Sequence, residues 1–306
     1  MSRPRISLGC GNFGGIGSAP AFFGRGTGKD EAFELMDAAW SAGITWFDTA
    51  DAYGGGRSES YIGAWRDLRK PDGLTITTKV FNSVTGDPAD TGLHPDRVRK
   101  QAESSLDRLG VERIDLYLAH EPDPSTPLRD TIATFERLVD EGLIAAWGLS
   151  NYDGAGIEDA LSYGRPELVQ NSYSLLDRGD EERVIPLCAE HRIDYVPFGP
   201  LSGGWLAGRY RRGEPYPDGS RMTMRPGPYQ RLIGDRVFDG LDRLGADAAA
   251  RGVAMAALAF AWVLEGPAVA GAVCGPSRPE HLAPPLAALD ISLTADEREH
   301  IGSYFT

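Results

Sequence analysis

Short apolar runs alternate with longer amphipathic segments along almost the whole chain. The runs are nearly continuous in apolar residues, which is typical of strands buried on both faces of a parallel sheet. We therefore predict strands at residues 6–10, 44–48, 74–79, 113–119, 144–150, 168–171, 194–198 and 269–274.

The segments between these strands carry apolar residues at i, i+3 and i+4, the spacing of an amphipathic helix. Gly43, Gly110 and Gly142 follow three of them directly, as glycine commonly does at a helix C-terminus. The predicted helices span residues 30–41, 58–68, 94–109, 128–140, 153–163 and 180–191, and residues 253–264 predict a buried apolar helix.

Strands that alternate with helices predict a parallel sheet, and this many repeats in 306 residues predict a (β/α)8 TIM barrel. No linker divides the chain, so residues 1–306 are expected to form a single domain. Residues 14–29 and 201–229 lack either pattern. The second stretch predicts a long loop after strand seven that lies over the C-terminal rim.

Composition narrows the class of partner. The formal net charge of −13 disfavours nucleic acid, because phosphate binding needs a basic surface. Three scattered cysteines favour a reducing compartment. The N-terminal residues resemble no signal peptide, and the longest apolar stretch is too short to span a bilayer. We expect a cytoplasmic protein with no membrane partner, a monomer by default with a homo-oligomer left open.

The segment from Gly9 to Gly14 matches the G-x-G-x-x-G pattern of dinucleotide-binding folds. That pattern requires a helix to begin within the glycines, and the following Gly15, Gly17 and Pro20 disfavour one. These glycines therefore predict a turn at the barrel mouth.

Polar and aromatic residues stand at the ends of successive predicted strands, which meet at one mouth of a barrel. They are Asp48, Lys79, His120, Ser150, Asn151, Gln170 and Phe198, with Tyr53 and Gly275 in the loops that follow.

Together these side chains suit carbonyl chemistry. A lysine ammonium beside a tyrosine is expected to lower the phenol pKa, and Asp48 can hold Lys79 charged. His120 can orient a carbonyl oxygen while Tyr53 exchanges a proton with it. Hydride must come from a cofactor. The amides of Asn151 and Gln170 and the ring of Phe198 suit a nicotinamide.

Several motifs resemble those of the aldo-keto reductases. They are AGITWFDTADAYG at residues 42–54 with SE at 58–59, TTKV at 77–80, LDRLG at 106–110, DLY at 115–117 and WGLSN at 147–151. The resemblance runs from about Ile6 to the C-terminus. It implies an NAD(P)H-dependent oxidoreductase that reduces an aldehyde or ketone to an alcohol, or the reverse.

The resemblance also assigns roles to residues. It implies a catalytic tetrad of Asp48, Tyr53, Lys79 and His120, with Tyr53 as general acid. It implies cofactor contacts from Gly11, Asn12, Ser150, Asn151, Gln170, Phe198, Gly199, Pro200, Leu201 and Gly203, with Phe13 bordering the nicotinamide and the substrate.

Residues 273–282, which include Gly275, resemble the last cofactor loop of that family, and Arg278 with Ser277 could hold a 2′-phosphate. The loop departs from the family pattern at Cys274 and His281. We expect NADP(H) to be favoured, with NAD(H) left open. Phe13, Phe81, Glu121 and Trp205 are the predicted substrate pocket, for a small carbonyl or alcohol.

Other interpretations have less support. Asp48 and Lys79 could form only a structural ion pair. A metal site is not expected, because the five histidines show no ligand spacing. A cofactor-binding regulatory subunit of the same fold remains the alternative function.

Overall fold

The computed structural model describes residues 5–306. Residues 1–4, on which the prediction of no signal peptide partly rests, lie outside the described residues.

Eight parallel strands form one sheet in the order β7-β6-β5-β4-β3-β2-β1-β8. Consecutive strands are therefore neighbours, as the alternating pattern predicts. The strands are β1 (Ile6–Gly9), β2 (Trp46–Asp48), β3 (Thr75–Val80), β4 (Ile114–Ala119), β5 (Ile144–Ser150), β6 (Leu168–Gln170), β7 (Asp194–Tyr195) and β8 (Ala272–Cys274).

Backbone hydrogen bonds join β7 to the segment that enters β8 and close the sheet. Tyr195 N–H donates to Ala268 O at 3.2 Å, and Ala270 N–H donates to Tyr195 O at 3.0 Å. Val273 N–H donates to Pro197 O at 2.8 Å. The predicted (β/α)8 barrel is confirmed. Strand β7 ends earlier than predicted because Pro197 has no N–H to donate.

The helices surround the barrel. They are α1 (Lys29–Ser41), α2 (Arg57–Arg69), α3 (Pro95–Leu109), α4 (Leu128–Asp140), α5 (Gly154–Leu161), α6 (Val184–His191), α7 (Arg221–Met224), α8 (Asp235–Ala250), α9 (Met255–Leu264), α10 (Ala283–Ala288) and α11 (Ala295–Gly302). Local signals set their ends: in α3, Pro95 occupies the first turn and Gly110 ends the helix at φ 65°.

Nearly all of α9 is buried, so it packs as a core helix between α8 and α10. Within residues 5–306, no single helix has both the length and the apolar composition to cross a membrane. In this part of the chain, α8 and α9 reach that length and composition when taken together, and they bend by 95°.

The barrel interior is filled by alternate residues of the strands. Trp46, Leu116, Leu118, Leu168, Val196 and Val273 form a separate buried cluster. Because side chains alternate between the two faces of a strand, the residue two positions beyond each of these also points inward. This register directs Asp48 at the end of β2 and Gln170 at the end of β6 to the carboxyl-terminal mouth.

The loop between β7 and α8 crosses that mouth. It contains a kinked 3-10 segment, Ser202–Ala207, then α7 and a second 3-10 segment, Gly227–Leu232. Arg221 Nη2 donates to Asn12 Oδ1 at 2.8 Å, so this loop is tied to the loop after β1. The predicted long loop over the rim is present, with short helical turns that its composition did not predict.

Candidate active site

The candidate active site is the uppermost inward-facing layer of the barrel. Asp48 lies two residues beyond Trp46 on β2, and Lys79 lies two beyond Thr77 on β3. Trp46 Nε1 donates to Thr77 Oγ1 at 2.8 Å, so this pair forms the layer directly below. The alternation of the strands therefore places the carboxylate and the ammonium side by side.

Asp48 and Lys79 form a buried ion pair. Lys79 Nζ donates to Asp48 Oδ1 at 2.6 Å and to Thr49 O at 2.8 Å. The second carboxylate oxygen accepts from Gln170 Nε2 at 2.8 Å. Burial alone lowers the pKa of Lys79, but the charge and hydrogen bond of Asp48, together with Tyr53, outweigh burial and raise that pKa above its ordinary value. The lysine therefore stays charged at neutral pH.

Tyr53 faces this pair from the loop after β2. Lys79 Nζ lies 5.3 Å from the centre of the Tyr53 ring. A Cβ at Gly11 would lie 3.5 Å from the Tyr53 ring, so the loop after β1 covers one face of the phenol. Gly54, at φ 60°, lets the backbone turn immediately after the tyrosine, where a side chain would strike Phe13 O.

The direction of the Tyr53 pKa differs from the sequence prediction. Burial raises the pKa of the phenol above its ordinary value, and Lys79 lowers it by less. The lysine acts as expected, but the desolvation of a phenolate outweighs it. Tyr53 is therefore protonated at neutral pH in this environment.

His120 completes the group. Its Nε2 lies 3.5 Å from the Tyr53 hydroxyl, and the two rings meet edge to face. Burial, with the positive charge of Lys79, lowers the pKa of His120 to about 3. The imidazole is therefore neutral under ordinary conditions and can act as a hydrogen-bond partner. The four residues predicted as a tetrad are brought together.

Residues predicted to hold the nicotinamide surround the same mouth. Ser150 and Gln170 are buried, whereas Asn151 is exposed and adopts φ 62°. Asn151 Nδ2 donates to His120 O at 2.9 Å, which ties the end of β5 to the end of β4. Phe198 is half-buried and leaves part of its ring accessible.

The predicted pyrophosphate loop follows Phe198 and turns sharply. Gly199 and Gly203 have φ 69° and 65°, which favour glycine. A Cβ at Gly203 would lie 2.5 Å from the Tyr229 ring, so this residue must also be small. Pro200 is buried and Leu201 half-buried, so the loop is anchored to the core beneath it.

The predicted adenine end is exposed and basic. Ser277 Oγ lies 3.1 Å from His281 Nδ1, and Gly275 is open to solvent. Burial lowers the pKa of His281, and the charges of Arg278 and Arg209 lower it further. The positive charges of both arginines therefore act on His281 in this loop. Arg209 was not assigned here from the sequence, because nothing in its local pattern relates it to residues 275–281.

The predicted substrate residues fall into two groups. Phe13 and Trp205 are fully buried and belong to the main core cluster, so neither has surface to offer a ligand. Phe81 is half-buried, and Glu121 is exposed next to His120. Asn82 Nδ2 donates to Glu121 Oε1 at 3.3 Å. Of the three aromatic residues predicted for the substrate pocket, Phe81 alone keeps accessible surface.

Sequence reasoning missed the support behind the Tyr53 loop. Glu59 is fully buried and accepts from Thr78 Oγ1 at 2.5 Å and from Arg108 Nε at 2.6 Å. This network joins α2 and α3 to β3 beneath the loop that carries Tyr53. A charged residue at the first turn of an amphipathic helix is usually solvent-exposed, so the helical pattern gave no signal for the burial of Glu59, although Glu59 belongs to one of the family motifs.

Within residues 5–306, no group of three or more histidine, cysteine or acidic side chains has an arrangement that could hold a metal ion. The arrangement at the mouth instead offers a proton donor, a neutral imidazole and a fixed ammonium around one point. Such an arrangement can polarise and protonate a polar double bond, such as a carbonyl.

Comparison with known proteins gives the family. The profile of the Aldo/keto reductase family matches residues 5–304. The NADH-specific methylglyoxal reductase of Escherichia coli (strain K12) is 30% identical over 292 residues, 91% of this chain and 88% of that protein. The chain belongs to the Aldo/keto reductase family, and the predicted oxidoreductase function is confirmed.

Two further similarities broaden the comparison. A glycerol dehydrogenase from Gluconobacter oxydans has a similar structure, with a TM-score of 0.84, 26% identity, and coverage of 99% of this chain and 91% of that one. A putative voltage-gated potassium channel subunit beta of Schizosaccharomyces pombe is 33% identical over 261 residues, 81% of this chain and 75% of that protein.

Proposed function

We propose that the protein reduces an aldehyde or ketone to an alcohol, or catalyses the reverse reaction, with Tyr53 as the general acid/base. The observation that carries this proposal is the convergence of Tyr53, Lys79, His120 and Asp48 at the barrel mouth. A bound reduced pyridine nucleotide supplies the hydride, which no side chain can provide.

The residues of the chain manage the proton. Tyr53 and neutral His120 can both donate a hydrogen bond to a carbonyl oxygen placed between them. As negative charge develops on that oxygen, the raised pKa of Tyr53 leaves a proton available to it. Lys79 then stabilises the phenolate, and Asp48 keeps Lys79 charged and directed. Reversal of the same steps accepts a proton from an alcohol.

The exposed amide of Asn151 and the accessible part of the Phe198 ring fit a nicotinamide at this mouth. Ser150 and Gln170 would support it, with Gly11 and Asn12 on the opposite side. The glycine turns at Gly199 and Gly203 would let backbone approach a pyrophosphate. Pro200, Leu201 and Gly275 would border the same path.

We propose NADP(H) as the favoured cofactor, bound at its 2′-phosphate by Arg278 and Ser277. The proximity of Arg209 to the same loop supports this choice. The Escherichia coli relative is named as NADH-specific, so the residues of this loop are the ones to test.

We expect Arg278→Ala to weaken NADPH binding at least tenfold, since a charged contact is lost, and to leave NADH binding nearly unchanged. Titration of nicotinamide fluorescence measures both constants, and equal effects on both nucleotides would refute the assignment.

The central test is turnover by the wild type and by Tyr53→Phe. We expect the wild type to consume NADPH repeatedly with small aldehydes. Tyr53→Phe should lose about 10²–10⁴-fold in kcat, because the proton donor is absent, while it still binds NADPH. Unchanged kcat in this variant would contradict the proposed role of Tyr53.

The alternative is a regulatory subunit that binds the cofactor and turns over poorly. The relative named as a potassium channel subunit favours it. Pre-steady-state oxidation of bound NADPH separates the two functions. A regulator would oxidise its bound nucleotide once, with negligible turnover afterwards, whereas the enzyme proposed here would continue until the aldehyde is consumed.

A further inference from the structure

The loop that carries Tyr53 has little regular structure of its own. It spans residues 49–56, between β2 and α2. Gly54, Gly55 and Gly56 follow the tyrosine directly, with φ 60°, 69° and 83°. Glycine has the greatest conformational freedom to lose on folding, so three in a row do not by themselves hold the tyrosine in place. The position of Tyr53 therefore depends on contacts between this loop and its surroundings.

Ser58, in the first turn of α2, makes three of these contacts. Its backbone N–H donates to Tyr53 O at 3.3 Å and so closes the glycine turn. Its Oγ donates to Cys10 O, in the segment after β1, at 3.0 Å. The same Oγ lies 2.7 Å from Thr49 Oγ1 at the start of the loop. Ser58 therefore joins both ends of the Tyr53 loop to the segment after β1.

The proton of each hydroxyl has a defined direction. A serine hydroxyl carries one proton, and a backbone oxygen can only accept, so the Ser58 proton points to Cys10 O. Thr49 Oγ1 must then donate to Ser58 Oγ. All three residues are fully buried, so water cannot replace a lost partner. Loss of one hydroxyl leaves a buried polar group unpaired, which is unfavourable.

The chain of hydroxyls begins at the residue that holds Lys79. Thr49 O accepts from Lys79 Nζ at 2.8 Å, beside the bond from Lys79 to Asp48. In return, Asp51 N–H in the Tyr53 loop donates to Lys79 O at 3.0 Å. The same contacts therefore fix the carbonyl that directs the ammonium and the loop that carries the phenol.

The bond to Cys10 fixes the other side of the phenol. Gly11 covers one face of the Tyr53 ring, because a Cβ at Gly11 would lie 3.5 Å from it. Cys10 precedes Gly11, and its N–H donates to Asp48 O at 2.8 Å. A shift of Cys10 would therefore move the backbone against which the phenol ring lies.

We infer that Ser58 is a positioning residue for the proposed reaction: through Cys10 and Thr49 it holds the phenol of Tyr53 and the ammonium of Lys79 at a fixed separation. The inference rests on the proposed function. Because Ser58 is fully buried, it acts through these residues and not by contact with a substrate.

The first experiment is Ser58→Ala, assayed with propanal and NADPH. We expect kcat and kcat/KM to fall together by roughly ten- to a hundredfold, because a small displacement of the reacting groups slows the reaction. KM for propanal and Kd for NADPH should stay within about twofold of wild type, since binding contacts are kept.

Thr131→Val is the matched control for a lost buried hydroxyl. Thr131 is 1% exposed, and its Oγ1 donates to Leu93 O at 3.2 Å in another part of the barrel. This variant should lose stability but keep the kcat of the wild type. A kcat in Ser58→Ala that equals that of the control would overturn the inference and leave Ser58 with a structural role only.

The second experiment separates the hydroxyl of Thr49 from its shape. Thr49→Val keeps the shape and should lower kcat about three- to tenfold, whereas Thr49→Ser keeps the hydroxyl and should stay near wild type. Thr49→Val added to Ser58→Ala should cause no further loss, because both changes remove the same hydrogen bond. Equal losses in Thr49→Val and Thr49→Ser, or independent effects in the double variant, would contradict the inference.

Hydrogen exchange tests the same contacts without a substrate. Backbone amides of residues 50–58 should exchange faster in Ser58→Ala than in wild type or Thr131→Val. Unchanged exchange would show that Ser58 does not hold the loop, whether or not the protein turns over. Wild type that reduces propanal, with a kcat that Ser58→Ala leaves intact, would overturn this inference alone. Wild type that turns over no aldehyde with either nucleotide would overturn the proposed function, and the positioning role with it.

Discussion

His120 shows how one residue is controlled by its surroundings. Burial beside a lysine ammonium keeps the imidazole neutral, with a pKa of about 3. A neutral ring can both donate and accept, whereas an imidazolium would place a second cation beside Lys79. We therefore expect no change in kcat from His120 ionisation between about pH 5 and pH 8.

The same shift affects stability. The unfolded chain takes up a proton at His120 as the pH falls below the ordinary value of 6.5, whereas the folded chain does not until about 3. The contribution of His120 to the free energy of unfolding is therefore present above pH 6.5 and is lost as the pH falls towards 3. Between pH 7 and pH 4 the free energy of unfolding of the wild type should therefore fall. In His120→Asn we expect this fall to be smaller by on the order of 3 kcal/mol.

Urea denaturation at each pH measures this effect. The exposed His191 provides the control, since His191→Asn should follow the wild type. An acid sensitivity that is the same in wild type and His120→Asn would show that the imidazole is protonated in the folded protein.

At the scale of elements, the Glu59–Arg108 pair joins α2 to α3 beneath the loop that carries Tyr53. Glu59 is fully buried, so removal of its partner leaves an uncompensated charge. We expect Arg108→Met to lower the free energy of unfolding by about 3–5 kcal/mol. Addition of Glu59→Gln should restore part of this loss, because the buried charge is then gone. Equal stabilities for the single and double variants would mean that the pair contributes only packing.

The loop after β7 is a second element with a testable contact. Arg221 of α7 donates to Asn12 across the mouth, where the proposed cofactor would lie beneath. We expect Arg221→Ala to increase the rate of NADPH dissociation about three- to tenfold, because one charged hydrogen bond that holds the loop is lost. Stopped-flow fluorescence measures the rate. Arg211→Ala is the control. Arg211 is exposed and its ion-pair contact is with Glu214 at 3.9 Å, so its removal should leave the rate of NADPH dissociation unchanged.

Elements with a strong hydrophobic period were predictable from the sequence. Strand β5 and helix α4 have the predicted bounds, whereas both ends of β3 and the start of α3 differ by one residue. Helices α8 and α11 were missed, although Thr294 and Glu297 form a capping box that marks the start of α11. The predicted helix at residues 180–191 begins only at Val184, after a separate 3-10 turn.

The site was predictable where strands carry it and less so where loops do. The positions of Asp48, Lys79 and His120 were predictable because each residue stands at or next to the carboxyl-terminal end of a predicted strand. The burial of Phe13 and Trp205 depends on how two long loops pack, and no local pattern encodes that. The pKa of Tyr53 likewise depends on total burial, which a single neighbouring lysine does not determine.

At the scale of the whole molecule, cofactor binding should stabilise the barrel. A ligand that binds only the folded state at a hundred times its Kd adds about 2.7 kcal/mol to the free energy of unfolding. We expect NADPH at this excess to raise Tm by several degrees, in wild type and Tyr53→Phe alike. No rise with either reduced nucleotide would contradict cofactor binding at this mouth.

The alternation that fills the barrel interior has a consequence for how such a protein can diverge. Loss of one residue within β3 would turn Lys79 towards the outer helices and abolish its pairing with Asp48. Insertions in the loops after β4 or β7 would leave that pairing intact. The pairing of the reacting residues therefore depends on the length of the strands. The substrate preference can change whenever the connecting loops change.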